Sequence, residues 1–187
     1  MAKIGVLALQ GDYEKHARAL ERAGAQVAEV RTAEELSAVD GLVIPGGEST
    51  TMLRLLDRES LFEPLRKFGA AKPVFGTCAG AILLAKEVEN PKQESLGLVD
   101  ISVRRNAYGR QLDSRVAQLE TDQFGALEAV FIRAPIIREA SPAVRVLARY
   151  NGDPVLVEQG RHLVATFHPE LSDDGRVHAY FLKKVTG

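Results

Sequence analysis

The segment Pro73-Val74-Phe75-Gly76-Thr77-Cys78-Ala79-Gly80-Ala81-Ile82-Leu83-Leu84-Ala85 decides how this chain folds. Residues 73–76 read as a short buried strand and residues 79–85 as a compact apolar helix, so the backbone must turn sharply between them. Gly76-Thr77-Cys78-Ala79-Gly80 is the elbow pattern G-x-S-x-G with cysteine in place of serine. The glycines follow from sterics, because so tight a turn brings backbone segments closer than a Cβ permits. In such a turn the apex residue is expected to be exposed and to stand at a helix N-terminus, where free N–H groups and the helix dipole favour a thiolate over a thiol. A helix end contributes only about 0.3–1 kcal/mol, which does not suffice to ionise a thiol at neutral pH. An imidazole partner is therefore expected elsewhere. Most lone intracellular cysteines are small buried hydrophobes, but the strand–turn–helix context sets Cys78 apart.

Outward from this segment the first half alternates strand and helix signals. Residues 3–9 form a buried-strand run, and residues 12–23 carry Tyr13, His16, Ala17, Leu20 and Ala23 at helical spacing, with Gly24 placed to end the helix. A second strand spans 26–30, and Thr32-Ala33-Glu34-Glu35 fits a capping box. A third strand, 41–44, runs into Pro45-Gly46-Gly47, after which Ser49 or Thr50 is the expected cap of a helix, with another over 61–68. Strands separated by helices imply right-handed crossovers. The expected fold is α/β: a single domain over residues 1–187, built as a three-layer sandwich with a mainly parallel central sheet and helices on both faces. Function in such sheets gathers at the C-terminal ends of strands, where both 45–50 and 76–80 lie. The second half is richer in strands, with candidates at 99–104, 116–119, 129–132, 144–148, 155–157 and 163–167, and a final helix at 175–184. Asn151-Gly152 is a hairpin turn signal, and residues 90–94 read as a loop.

Composition narrows the function classes. The 187 residues are 45% hydrophobic and 26% charged with a net charge of -1, so nothing draws the chain to nucleic acid or an anionic membrane. Arg104, Arg105 and Arg110 are too few to reverse that. A single cysteine excludes an intramolecular disulfide. The apolar run after Met1 is too short to span a bilayer and has no small-residue cleavage site after it, which points to a cytoplasmic protein.

Of the four histidines, His16 and His178 lie inside helices, where packing or partial exposure accounts for them, and His162 follows a hairpin turn at Gly160-Arg161. His168 ends the apolar stretch Leu163-Val164-Ala165-Thr166-Phe167 and precedes Pro169-Glu170. Proline disfavours helical geometry in the residue before it, so His168 is expected to be extended. Residues two apart in an extended segment share a face, which lets His168 and Glu170 point into one site. Glu170 would then fix the tautomer of the imidazole and stabilise the imidazolium, as the third member of a triad does. Pro45-Gly46-Gly47-Glu48-Ser49-Thr50 offers backbone N–H groups for an anion or for half of an oxyanion hole, but lacks the lysine of a phosphate-binding loop.

Thr77-Cys78-Ala79-Gly80, Pro45-Gly46-Gly47-Glu48-Ser49 and His168-Pro169-Glu170 together resemble class I (triad) glutamine amidotransferase domains. More narrowly, the chain is similar to the glutaminase subunits of pyridoxal 5′-phosphate synthase. That likeness is carried by stretches 5–11, 42–52, 75–80, 105–111, 131–135 and 166–170, in family order over nearly the whole chain. The resemblance implies a glutaminase with Cys78 as nucleophile, His168 as base and acid, and Glu170 as its orienting partner. It implies an oxyanion hole from the N–H groups of Gly47 and Ala79, and glutamine binding by Gly46, Gly47, Glu48, Ser49, Arg105, Ile132 and Arg133. It also implies L-glutamine as substrate, no metal or organic cofactor, and a barrel-fold synthase subunit as the partner that receives ammonia and switches the glutaminase on. A glutaminase of another pathway, such as imidazole glycerol phosphate synthesis, a related cysteine hydrolase or peptidase, and a non-catalytic regulatory subunit are the alternatives. The 105–111 and 131–135 motifs weigh against the first and the intact triad against the last.

Overall fold

The structure, a computed structural model, describes residues 1–106 and 114–187. Part of the 105–111 motif, residues 107–111, therefore lies outside the described residues. The alternation of the first half is realised as β1 (Lys3–Leu7), α1 (Tyr13–Arg22), β2 (Gln26–Val30), α2 (Ala33–Ser37), β3 (Gly41–Ile44), α3 (Ser49–Arg58), α4 (Phe62–Ala71), β4 (Val74–Thr77) and α5 (Ala79–Leu84). There follow β5 (Ala85–Glu89), β6 (Val99–Arg104), β7 (Ser114–Thr121), β8 (Gly125–Ile132), β9 (Ile136–Ala140), β10 (Arg145–Tyr150), β11 (Asp153–Gln159), β12 (His162–Ala165) and α6 (Arg176–Thr186). Among the described residues, no helix is long and apolar enough to cross a membrane.

The main sheet has the order β10-β11-β12-β4-β3-β1-β2. Its five strands from β2 to β12 are parallel, and β11 and β10 add an antiparallel edge. Side chains alternate between two cores. Leu42 and Ile44 of β3 enter the core under α2–α5 with Met52, Leu56 and Leu65, whereas Val43 enters the opposite core with Leu20 of α1 and Phe181 of α6. Helices thus cover both faces, as the near-continuous apolar runs of the parallel strands require. Asn151 (φ 50) and Gly152 (φ 83) turn β10 into β11 with two positive φ angles, the geometry expected of an Asn-Gly hairpin.

Three features differ from expectation. The strands of the second half do not all join the main sheet: β5, β6 and β9 form a separate three-stranded sheet, and among the described residues β7 pairs only with β8. The strands β5 and β9 leave no periodic signal. In β5 only Ala85 and Val88 are buried, across a register shift, and β9 exposes Arg138, Glu139 and Ala140 at a sheet edge. The cap of α3 is Glu48, not Ser49 or Thr50. Its backbone is extended and its carboxylate accepts from the N–H groups of Thr50 and Thr51 at 2.9 and 2.8 Å, while Ser49 sits in the first turn and bonds Gln93 Oε1 at 3.2 Å.

The elbow meets its steric requirement. Cys78 has φ 51 and ψ -105, a region that side-chain-bearing residues rarely occupy. A Cβ on Gly76 would lie 2.5 Å from the Gly80 carbonyl oxygen, and one on Gly80 would lie 2.1 Å from that of Ile44. Since neither backbone can retreat without breaking the β3–β4 ladder, Gly80→Ala should lower the unfolding free energy by about 1–3 kcal/mol or more. Urea denaturation measures this, and a midpoint equal to wild type would show that α5 is free to shift away from β3.

Candidate active site

Three adjacent parallel strands, β12, β4 and β3, deliver the site to one end of the sheet. Cys78 follows β4, and its N–H donates to Ala165 O of β12 at 3.0 Å. His168 follows β12, with its N–H bonded to Val130 O of β8 at 2.8 Å. The 45–48 loop follows β3 and meets the segment that leaves β1. A Cβ on Gly11 would lie 2.1 Å from Gly46 O, and Gln10 Nε2 donates to Glu48 O at 2.7 Å. Strand order reverses between β1 and β3, which makes this the switch-point crevice of the sheet.

His168 and Glu170 come together as expected, by a different local route. His168 is non-helical (φ -109, ψ 86), but Pro169–Leu171 is a single 3-10 turn and not an extended segment. Proline is preorganised for the first position of such a turn, and the turn swings Glu170 back toward the imidazole. Its Oε2 lies 3.0 Å from His168 Nδ1. That contact occupies Nδ1 and leaves Nε2 available, and Cys78 lies close by, since a Cβ on Gly46 would meet both His168 Cε1 and Cys78 Cβ. Burial alone would lower the His168 pKa, but the Cys78 and Glu170 contacts outweigh it and hold the group at about 10. Burial would raise that of Glu170, but His16 and His168, which both face its Oε2, hold it well below the usual carboxylate range. Both shifts favour the charged forms, an imidazolium beside a carboxylate.

The remaining expected residues surround this group. A Cβ on Gly46 would fall 2.6 Å from His168 Cε1 and 3.2 Å from Cys78 Cβ, so only glycine lets the loop lie against the pair. Gly47 has φ 128, a conformation open mainly to glycine. Ala79 opens α5 directly after the cysteine. Ile132, at the end of β8, directs its carbonyl oxygen at Cys78 Sγ, 3.9 Å away, and Arg133 turns the chain with φ 45. Arg105 Nη2 bonds Thr50 Oγ1 at 2.9 Å and lies 3.6 Å from Glu48 Oε1. Burial acts to raise the Glu48 pKa, but the cap bonds from Thr50 and Thr51 hold it at about 2. The Glu48 side chain is thus engaged as a helix cap in this conformation, so its loop faces the crevice through backbone.

Sequence reasoning missed His16 and His178. Both are fully buried, and His16 Nδ1 lies 2.8 Å from His178 Nε2. His16 Nε2 lies 3.4 Å from Glu170 Oε2 and 3.2 Å from Thr77 Oγ1. One signal was present: His16 shares the buried face of α1 with Ala19 and Leu20, and a polar ring on such a face needs a partner. The fourth histidine, His162, is structural. Its Nδ1 accepts from Val74 N at 3.2 Å, and burial, with Arg161 nearby, lowers its pKa to about 4.

A cysteine at a strained elbow, beside a histidine whose far nitrogen is held by a carboxylate, is the arrangement of enzymes that work through a thioester. The chain belongs to the SNO glutamine amidotransferase family, whose sequence model matches residues 6–187. It is 64% identical over 192 residues to the pyridoxal 5′-phosphate synthase subunit PdxT of Solibacter usitatus, covering 99% of this chain and 100% of that one. The subunit of the same name from Koribacter versatilis is 59% identical over 184 residues, covering 98% and 95%. A solved glutamine amidotransferase, 46% identical, superposes with a TM-score of 0.92 over 98% of this chain and 99% of the other. PurLQS from Thermotoga maritima, at 16% identity and a TM-score of 0.69 over 100% and 98%, shares the fold alone.

The ionic pair also sets a pH window for stability. The folded pKa of Glu170 lies below its ordinary 4.5, so its contribution is complete above about pH 4.5 and is lost as pH falls. The folded pKa of His168 lies above its ordinary 6.5, so its contribution is complete below about pH 6.5 and is lost as pH rises toward about 10. The unfolding free-energy difference between wild type and a His168→Gln, Glu170→Gln double variant should peak between these limits and shrink on both sides. Urea titrations from pH 4 to 10 test this; a flat difference would show that the pair is not ionic.

Proposed function

We propose that this protein is a glutaminase that hydrolyses L-glutamine to L-glutamate and ammonia, and hands the ammonia to a synthase partner for pyridoxal 5′-phosphate formation. The observation that carries the reading is the placing of Cys78, at the elbow, against the His168–Glu170 pair in a chain so similar to PdxT subunits. In this mechanism the Cys78 thiolate attacks the side-chain amide carbon. Negative charge on the carbonyl oxygen is taken by the N–H groups of Gly47 and Ala79, each contributing about 3 kcal/mol. The imidazolium of His168 gives its Nε2 proton to the departing nitrogen, the carbon–nitrogen bond breaks, and a glutamyl thioester remains with ammonia free. Neutral His168 then takes a proton from water, hydroxide adds to the thioester, and the carbon–sulfur bond breaks to release glutamate and restore the ion pair.

The glutamine lies, in this reading, along Gly46, Gly47, Glu48 and Ser49, with the Ile132 carbonyl and the Arg133 backbone on the other wall. Arg105, tied to Thr50, supplies the positive charge for the α-carboxylate. Ammonia in water is mostly protonated and no longer nucleophilic, so the product gains value by passing directly to a second active site. The partner is a barrel-fold subunit that builds the pyridoxal ring from pentose and triose phosphates, and its docking reorients the 45–49 loop through a peptide flip at Gly46-Gly47.

Glutamate release from glutamine should rise when the synthase subunit is added and fall by at least about a thousandfold in Cys78→Ala. Cys78-dependent release that ignores the synthase would reassign the pathway, and no release in any mixture would end the glutaminase reading. Gly47→Val should cut the stimulated rate by about a hundredfold, the worth of one oxyanion donor, while the protein stays folded with a thermal midpoint lowered by the strain of a side chain at φ 128. Near-normal turnover by that variant would remove the loop from the mechanism.

A further inference from the structure

We propose that His16 is a positioning residue of this reaction, donating from Nε2 to the Glu170 carboxylate and so fixing the group that orients His168. The inference rests on the glutaminase reading for its kinetic consequence and on geometry for its substance. The Glu170 side chain has no solvent exposure, and its Oε1 has no hydrogen-bond partner among the described residues. All of its holding therefore falls on Oε2, which faces His168 Nδ1 at 3.0 Å on one side and His16 Nε2 at 3.4 Å on the other. With His168 as its only partner, the carboxylate would be free to pivot about that one contact. The second imidazole makes it a bridge with two ends.

The tautomers follow from donor counting. His16 Nε2 has Thr77 Oγ1 at 3.2 Å in hydrogen-bond geometry and the Glu170 carboxylate at 3.4 Å as an ion-pair contact; a hydroxyl can accept and a carboxylate only accepts, so hydrogen on Nε2 suits both. In a neutral ring His16 Nδ1 is then a lone pair, and His178 Nε2, at 2.8 Å, donates to it. His178 Nδ1 is left bare, and it has no partner among the described residues, so no buried N–H goes unbonded. Burial, with His16 beside it, lowers the His178 pKa to about 3, which keeps that ring neutral. Phe75 closes the network, edge-on to both rings at 6.5 and 5.9 Å. Thr77 Oγ1 at 3.2 Å is the other polar neighbour of His16 Nε2. Lys15, Arg18, Arg22 and Asp173 are the charged residues that line a surface cleft together with Glu170.

The test uses histidine labelled with nitrogen-15, read by NMR in the isolated chain, and steady-state kinetics in the complex with the synthase subunit. In wild type, His16 should show its proton on Nε2; a proton on Nδ1 alone would overturn the proposal with no variant needed. His16→Leu removes the donor, whereas His16→Gln returns an N–H at a similar reach. In His16→Leu the His168 titration should move down by about one pH unit. Its kcat should fall about tenfold with KM within about twofold of wild type, the mark of an interaction made in the transition state. His16→Gln should recover most of both. A role in packing alone would lower the thermal midpoint of both variants and leave the His168 titration in place, and that result would overturn the proposal. So would a folded His16→Gln that recovers neither quantity. If wild type releases no glutamate, the glutaminase reading fails, while the tautomer and titration still decide whether His16 holds Glu170.

Discussion

The close approach of Gly80 to the carbonyl of Ile44 is the constraint on which the rest of the site depends. It lets α5 start against the end of β3, so Cys78 emerges from β4 directly beside the loop that leaves β3. Were α5 one methyl group further away, Cys78 would move off Gly46, whose bare Cα is what allows His168 and Cys78 to crowd the same space. Strain at Cys78 is the cost of this closeness, and it is sustained because both faces of β4 are packed, Val74 into one core and Phe75 into the other. Stability and chemistry therefore meet in the same few backbone contacts.

Local rules made the elbow and the His168-Pro169-Glu170 pair legible. Glycine spacing reports a steric demand, and proline reports a backbone break, so each can be read from a few neighbouring residues. The parallel sheet was legible for a related reason: runs such as Leu42-Val43-Ile44 are apolar on both sides only where both faces are covered. What could not be read depends on distant partners. The strand β5 is set by pairing with β6, and its own sequence, Ala-Lys-Glu-Val-Glu, has no period of two. The separation of β7 and β8 from the main sheet depends on which edge strands are free, which periodicity does not encode. Helix capping by Glu48 was hidden because Ser49 and Thr50 are intrinsically better caps, and extended backbone at Glu48 decided otherwise.

The histidines behind the site illustrate the same limit more sharply. His16 and His178 are separated by 162 residues, on the first and last helices, and only the shared core of α1 and α6 brings them together. Each alone reads as a helix residue. A polar ring on the buried face of a helix still states a debt of hydrogen bonds, but it does not name who meets it. Here the partners of His16, namely His178, Thr77 and Glu170, are polar groups beneath the candidate active site.

That arrangement divides the work between the two layers of the fold. The layer with α3 and α5 supplies the backbone-rich side of the site: the 45–48 loop, the Glu48 cap and the N-terminus of α5. The layer with α1 and α6 supplies a rigid side, in which aromatic packing around Phe75 encloses a row of hydrogen-bonded side chains ending at His168. A buried polar row is costly unless every member is bonded, and a half-bonded one costs more than an apolar core of the same shape. Its presence under the carboxylate is therefore not explained by stability. It is explained if the carboxylate must stay still while the loop across the crevice moves, because a base that follows the loop would lose its aim at Cys78. In the proposed reaction, the rigid layer would hold His168 in register with Cys78 and leave the backbone donors of the opposite layer as the part that a partner adjusts.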